Sequence, residues 1–577
     1  LFFVRPPSRS FHARNIGMTA DVDPVSSKQK ASVGIQVHSR SEKATGRQAG
    51  TDAWWRHSVI YQIYPRSFQD TNDDGIGDLR GIVDRLDYLT WLGVDAIWIS
   101  PIFCSPMADF GYDISDYRNI DPRFGTLEDF DHLLAEAHRR GLRVLLDYVP
   151  NHTSDRHPWF LAARSARDDP HRDMYIWRDP APDGGPPNNW QSDFGGDAWQ
   201  WDEATEQYYY HAYLKEQPDL NWRNPLVRKE MYDVLHFWLD RGVDGFRVDV
   251  MWHLIKDDLF RDNPPNPDWT EAMPPHKKVL QIYSADRPEV HDVVSEMRGV
   301  LAEYGADRLL IGEIYLPLER LVAYYGRDLR GAHLPFNFHL ITAPWEARHI
   351  ERQIDEYEAA LPEGGWPNWV LSNHDKPRIA ARVGREQARV AAMMLLTLRG
   401  TPTVYYGDEI GMSNVAVPPG NVRDPFERQV PGRGFGRDPQ RTPMQWDSTT
   451  NAGFSAGIPW LPIASDAADV NVEAQSSDPR SMLSLYRKLL SFRRRSDALT
   501  IGRYTKVHAS KCVLAYLRKT ESERYLVALN LGPQPAEMTV PGPCRRVLDT
   551  SGGGAGQRIQ ETLRLAGNEG VVAEMID

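Results

Sequence analysis

One acid and one base inside an otherwise apolar run mark the first place in this chain where chemistry could happen. The run is Gly245-Phe246-Arg247-Val248-Asp249-Val250. In a strand, residues two apart share a face, so Arg247 and Asp249 point one way while Phe246, Val248 and Val250 face the other layer. A buried parallel strand is usually apolar throughout, so a cation and a carboxylate at its C-terminal end call for a reason. Three more apolar runs end in the same manner. Val144 to Val149 leads into Pro150-Asn151-His152, Leu309 to Gly312 into Glu313, and Trp369 to Asn373 into His374 and Asp375. Paired carboxylates suit cleavage of a glycosidic bond: one attacks the anomeric carbon and the other protonates the departing oxygen, about 5–5.5 Å away in a retaining pair. Neighbouring strands lie about 4.8 Å apart, so Asp249 and Glu313 at adjacent strand ends could supply that spacing. Arg247 beside Asp249 predicts an ionised carboxylate. Glu313, among Leu309, Ile311 and Ile314 with no cation next to it in sequence, predicts a raised pKa and the proton-donor role.

Elements that would deliver these residues to one place alternate regularly. Strand patterns at Val59–Phe68, Ala96–Pro101, Val144–Val149, around Asp249, at Leu309–Ile314, at about 332–339, at Trp369–Asp375 and at Thr403–Tyr406 are separated by helical patterns. Such alternation predicts an α/β fold, a (β/α)8 TIM barrel, whose site lies at the C-terminal ends of the strands. Residues 153–221, rich in Trp, Asp, Gly and Pro and including Asp183-Gly-Gly-Pro-Pro187, break the rhythm and read as a subdomain inserted after the third strand. The barrel is thus expected over 51–152 and 222–495, and short alternating runs with Gly and Pro turns over 500–577 predict a C-terminal antiparallel β-domain. Residues 1–50 lack periodicity and are rich in Ser, Arg, Gln and Lys, the composition of a disordered extension.

The chain has 577 residues and a net charge of −12, which argues against nucleic acid as a partner. No run reaches the roughly 18 apolar residues of a membrane span, and no membrane partner is expected. The three cysteines, Cys104, Cys512 and Cys544, form neither a disulfide framework nor a metal spacing, which favours a reducing, cytoplasmic setting. Between Asp70 and Asp78, oxygen-bearing side chains fall at loop positions 1, 3, 5 and 9 (Asp70, Asn72, Asp74, Asp78), with Gly75 at 6 and the Ile76 carbonyl at 7. That is the ligand spacing of a calcium loop without the closing Glu of an EF-hand, since Gly81 stands at position 12. One structural Ca²⁺ or Mg²⁺ is expected there, and no organic cofactor.

The strand ends match a known pattern. Asp147-Tyr-Val-Pro-Asn-His152, Gly245-Phe-Arg-Val-Asp249, Gly312-Glu313 and Ser372-Asn-His-Asp375 resemble, in order, the four signature stretches of the α-amylase family of glycoside hydrolases. Gln217-Pro-Asp-Leu-Asn221 resembles a fifth, in its oligo-1,6-glucosidase and α-glucosidase form. The resemblance implies Asp249 as nucleophile, Glu313 as acid/base, and Asp375 as the acid that binds sugar hydroxyls. It also implies Arg247, His152 and His374 as holders of the glucosyl unit, with Asp109, Tyr112 and Arg441 closing the pocket over its non-reducing end. Asp70, Asn72, Asp74, Ile76 and Asp78 match the branch's metal loop. The activity implied is that of a retaining, exo-acting α-glucosidase on short α-glucosides, oligosaccharide or disaccharide, with transglucosylation as a side reaction, in a monomer or homodimer. Val250, after the nucleophile, leans toward α-1,6 linkages in relatives, whereas His253-Leu-Ile-Lys-Asp-Asp258 resembles enzymes of short α-1,4 substrates. A sucrose isomerase or trehalose-forming mutase is the alternative, though Asn337 to Trp345 lacks the charged run of sucrose isomerases. A non-catalytic, transporter-associated domain would carry a membrane span and a damaged triad, which this chain does not.

Overall fold

The computed structural model describes residues 53–576; the predicted disordered extension lies outside the described residues. Eight parallel strands carry the site: β1 (Ile60–Ile63), β2 (Ala96–Ile99), β3 (Arg143–Tyr148), β4 (Gly245–Val248), β5 (Leu309–Gly312), β6 (Leu334–Pro335), β7 (Asn368–Val370) and β8 (Thr401–Tyr405). They pair in sequence from β1 to β6, β7 pairs β8, and β8 returns to β1, which makes a (β/α)8 barrel. Helices Leu79–Leu92, Leu127–Arg139, Pro225–Asp240, Val290–Glu303, Ala347–Ala360 and Arg385–Thr397 lie between the strands. Alternation within each strand divides the core in two. Phe246, Val248, Leu146 and Leu310 pack with helix residues, while Leu145, Leu309, Ile311 and Trp98 fill the interior.

The strands are shorter than the sequence pattern implied, and proline is one reason. Pro65 has no N–H and opens a 3₁₀ turn at Pro65–Ser67, so β1 ends at Ile63. Pro335 ends β6 after two residues. No backbone ladder joins β6 to β7 among the described residues. The seam is closed instead by one side chain: Asn368 Oδ1 accepts from Asn337 N at 2.9 Å, and Asn368 Nδ2 donates to Pro335 O. Asparagine is a poor strand residue, but here its amide stands in for a missing peptide group. Asn368→Leu should leave a buried donor and a buried acceptor unpaired, about 1–3 kcal/mol each, and lower the thermal unfolding midpoint. A midpoint unchanged from wild type would show that the seam does not depend on this amide.

The inserted segment forms a three-stranded antiparallel sheet, with Gln207–Tyr210 between Trp177–Arg178 and Trp199–Asp202. Its two ends are stitched where it leaves the barrel: His152 bridges Asp219, and Leu220 N donates to Asn151 O at 2.9 Å. C-terminally, a six-stranded antiparallel sheet spans Arg503–Val507 to Gly570–Met575, beside a two-stranded ribbon. Tyr516 of this sheet meets Thr397 Oγ1 at 2.6 Å, and helix Met482–Arg495 packs against the helix that carries Thr397. Among the described residues no helix is long and apolar enough to cross a membrane.

Candidate active site

Register places the charges. Asp147 on β3 sits directly beside Arg247 on β4, so the fully buried guanidinium reaches Asp147 Oδ1 at 2.8 Å. The same group reaches Asp249 Oδ1 at 2.7 Å and Glu313 Oε2 at 2.7 Å. One cation thus answers three carboxylates. The sequence expectation that Glu313 has no neighbouring cation is therefore corrected: Arg247, two residues before Asp249 but one strand across from Glu313, serves both. Burial pushes both carboxyls up and Arg247 pulls both down; the charge of Glu313 raises Asp249 further, and that of Asp375 raises Glu313. Both acids are thus raised, rather than dividing into one low and one raised as neighbours in sequence implied.

The backbone turns sharply here. Val250 adopts φ 37° and ψ 47°, a left-handed conformation that a β-branched side chain rarely takes. In this conformation its N–H donates to Glu313 Oε2 at 2.9 Å, and Met251 N to Glu313 O at 3.2 Å. The strain is local and is spent on aiming Glu313.

Asp375 faces the same cavity. Arg441 Nη2 lies 2.7 Å away, His374 Nε2 3.2 Å and Arg437 Nη1 3.4 Å. Burial alone would raise its pKa; the permanent charges of Arg441 and Arg437 outweigh it and hold the carboxyl below the usual range. His374 is ordered through both nitrogens. Gln62 Nε2 donates to Nδ1 at 2.8 Å, which leaves the proton on Nε2 to donate to the Tyr112 hydroxyl at 2.7 Å. Tyr112 in turn donates to Asp147 Oδ2 at 3.1 Å and stacks flat on the His374 ring, 5.4 Å between centroids. Burial holds His374 neutral, and burial pushes His152 down to about 3, helped by the charge of Lys256. His152 is set by Asn151 at Nδ1 and by the Tyr112 carbonyl, 3.2 Å from Nε2. Behind it, Lys256 Nζ donates to Asn151 Oδ1 at 2.7 Å and pairs with Asp219.

Asp109 departs from expectation in its partner. Arg437, not Arg441, binds it, and Arg437 is itself fixed by Asp424 at 2.6 Å and by the face of Phe194, 4.6 Å from the guanidinium carbon. Arg441 stands behind Asp375, fully buried, donating to the His374 carbonyl at 2.8 Å. The cavity has a volume of about 1050 Å³ and is lined by Asp109, Tyr112, His152, Asp249, Glu313, His374 and Asp375 together with Arg437. Arg441 does not reach it. Sequence reasoning missed Arg437, whose signal was the Gly436-Arg437-Asp438 step shortly before Arg441, and Asp147, which ends its strand with a carboxylate just as the recognised strands do.

The loop at Asp70–Asp78 lies apart from the cavity. Its donors are all hard oxygens, the chemistry of a Ca²⁺ or Mg²⁺ site, and it is locked at Gly75, where a Cβ would meet Ile458 O at 1.9 Å. Asp74 Oδ1 accepts from Ile76 N and Asn72 Oδ1 from Asp74 N, curling both side chains inward. Asp70 accepts from Asn72, Asp73, Gly75 and Ser455, while Asp78 also caps helix Leu79–Leu92 through Gly81 N at 2.7 Å. Among the described residues no three His, Cys, Asp or Glu side chains converge on a point, so an ion here would draw on the Asn72 amide and Ile76 carbonyl besides the acids.

Comparison with known proteins bears on all of this. The model of the alpha amylase catalytic domain matches residues 62–502. The oligo-1,6-glucosidase of Heyndrickxia coagulans is 42% identical, over 85% of this chain and 94% of its own. A probable alpha-glucosidase of Rhizobium meliloti is 42% identical, over 85% and 91%. Among solved structures, an alpha-glucosyl transfer enzyme, XgtA, superposes with a TM-score of 0.87 at 41% identity, covering 91% of this chain and all of that one. The trehalulose synthase MutB from Pseudomonas mesoacidophila does so at 0.84 and 36%, with the same coverage. The eight-stranded barrel, the acids gathered at its strand ends and a family match across most of its length lead to one conclusion: this chain belongs to the α-amylase family and is a glycoside hydrolase.

Proposed function

We propose that the protein is a retaining, exo-acting α-glucosidase that releases glucose from the non-reducing end of short α-glucosides. The observation that carries this is the placing of Asp249 and Glu313 on one guanidinium, each 2.7 Å from it, in a cavity bounded by the Asp109–Arg437 pair. Two carboxyls on adjacent strands, each 2.7 Å from the same guanidinium, fit the close spacing of a retaining pair better than the roughly 6.5–9.5 Å of an inverting pair, which must hold a water between them. Asp249 is the nucleophile and Glu313 the proton donor, then the base for water. Asp375, held ionised, accepts from sugar hydroxyls and favours positive charge on the ring. Arg247, neutral His152 and neutral His374 position the glucosyl unit, and Tyr112 offers it a stacked ring. Among the relatives' names are oligo-1,6-glucosidase and alpha-glucosidase, and Val250 leans to α-1,6 linkages. A panel of maltose, isomaltose, sucrose and trehalose tests the reading. Glucose should appear first as the α-anomer by proton NMR. β-Glucose as first product would overturn retention, and isomerised sucrose in place of glucose would favour the mutase. Transfer of glucose to an acceptor should compete with water as sugar concentration rises.

The Asp70–Asp78 loop is proposed to take one Ca²⁺ or Mg²⁺ in a structural role, held by Asp70, Asn72, Asp74, the Ile76 carbonyl and Asp78. Chelation should lower the thermal unfolding midpoint, and added Ca²⁺ should restore it, as any ligand of the folded state does. A midpoint indifferent to both would mean the loop rests on its own hydrogen bonds. Three unpaired cysteines fit a reducing compartment, and a cytoplasmic setting is the reading we adopt.

A further inference from the structure

We propose that the part of the cavity built by the loop after β4 is a subsite for an anionic group, a phosphate or a carboxylate, on the leaving-group side of the substrate. This rests on the α-glucosidase reading, which assigns the glucosyl unit to the acids around Arg247 and to Asp109–Arg437.

Charge is segregated along the lining. The glucosyl end carries Asp109, Asp249, Glu313 and Asp375. The remaining wall carries an excess of cations, and most of them are matched. Arg261 lies 2.5 Å from Asp257, Arg287 lies 3.6 Å from the same carboxylate, and Arg320 lies 2.5 Å from Asp286. Two lysines are left over. Lys277, exposed on the loop after β4, and Lys376, next to Asp375 at the end of β7, line the same cavity. Neither makes an ion pair within 4.0 Å or a side-chain hydrogen bond among the described residues. Lys376 has only the Tyr315 ring beneath it, 5.3 Å from Nζ to the centroid.

The acids nearest them, Asp193, Asp375 and Glu313, act on them only from beyond ion-pair distance and are bound more closely by other donors. Asp375 belongs to Arg441 at 2.7 Å and Glu313 to Arg247 at 2.7 Å. Asp193, which faces Lys277, accepts from Gln281 Nε2 at 2.6 Å. His276, the neighbour of Lys277, also lines the cavity, and its buried Nδ1 has no hydrogen-bond partner. Burial, and then the facing charge of Lys277 against the pull of Asp375, hold the Lys376 ammonium below its ordinary range.

Two ammonium groups from separate loops thus line one cavity, and neither has a carboxylate within 4.0 Å of its own. An anion in that part of the cavity gains charge-assisted hydrogen bonds from both. A lysine serves as a point charge for either phosphate or carboxylate, so the wall selects for charge rather than for a planar fork.

The test compares matched substrates. One pair is p-nitrophenyl and p-carboxyphenyl α-glucoside. The other is an α-linked glucose disaccharide with and without a phosphate on the 6-hydroxyl of the leaving glucose. In the wild type, kcat/KM for at least one anionic member should exceed its neutral partner by about tenfold or more, and the two pairs tell phosphate from carboxylate. The ratio should fall toward one in Lys277→Ala and in the Lys277→Ala/Lys376→Ala double variant, and also in high salt, because the attraction is screened. Because each ratio is taken within one variant, a general loss of activity does not mimic the effect. A wild-type ratio at or below one in both pairs, or a ratio unmoved by the substitutions, overturns the subsite while leaving the α-glucosidase reading intact. Failure to turn over any neutral α-glucoside overturns both.

Discussion

Asp249→Ala is expected to lower kcat on p-nitrophenyl α-glucoside by about 10⁴-fold or more, the scale on which removing a covalent nucleophile acts. The loss should be in kcat rather than in KM, because the glucosyl unit keeps Arg247, His152, His374 and Asp375. Stability should move the other way. Asp249 is a buried carboxyl, pushed up by burial and by the charges of Glu313 and Asp147, with only a share of one guanidinium to offset them. Removing it leaves Arg247 bound to Asp147 at 2.8 Å and to Glu313 at 2.7 Å, two acids instead of three for one cation. The unfolding midpoint should therefore hold or rise, the pattern of a residue kept for chemistry at a cost to the fold. Kinetics within tenfold of wild type would reject Asp249 as nucleophile. A lost activity accompanied by a falling midpoint would mean that Asp249 is needed to balance Arg247, and that the activity loss is partly structural.

The barrel and its strand-end acids were legible because both are local signals. Each strand is a short apolar run, each helix has a 3.6-residue rhythm, and a polar residue closing an apolar run is conspicuous in one dimension. Helices Leu79–Leu92 and Val290–Glu303 stand between strands, where the sequence shows helical patterns. What sequence hid is what register creates. Glu313 has only apolar neighbours along the chain, yet Arg247 is one strand away, so its supposed isolation was an artefact of reading along rather than across. The same holds for Asp109, whose partner Arg437 is 328 residues distant. Arg441 was the more visible arginine because the family resemblance points to it, while the residue that touches Asp109 lies four positions earlier. Asn368 is a third case: an amide in a strand looks like a flaw until the two-residue β6 beside it shows which peptide group it replaces. A single backbone rotation such as Val250's left-handed turn leaves no trace in periodicity at all.

Glu313→Gln separates the two halves of the proposed reaction by leaving-group demand. Maltose needs a proton on its departing oxygen, and its kcat/KM should fall about 10³-fold or more. α-Glucosyl fluoride departs without that proton, so its first step should be far less affected. The second step, in which Glu313 would activate water, should then become limiting and give a burst, and added azide, which needs no general base, should restore turnover. The substituted amide would still present an oxygen to the Val250 N–H that now meets Glu313 Oε2 at 2.9 Å, so the backbone turn should survive. The pH profile gives a second readout. A proton donor works below its folded pKa and fails as pH rises through it. Burial first, then the charge of Asp375, raises the Glu313 carboxyl above its ordinary value, against the pull of Arg247. The alkaline limb of wild-type kcat/KM on maltose should accordingly lie above the usual carboxyl range and vanish in the variant. An alkaline limb that persists in Glu313→Gln would assign the donated proton to another group and reject Glu313 as the acid.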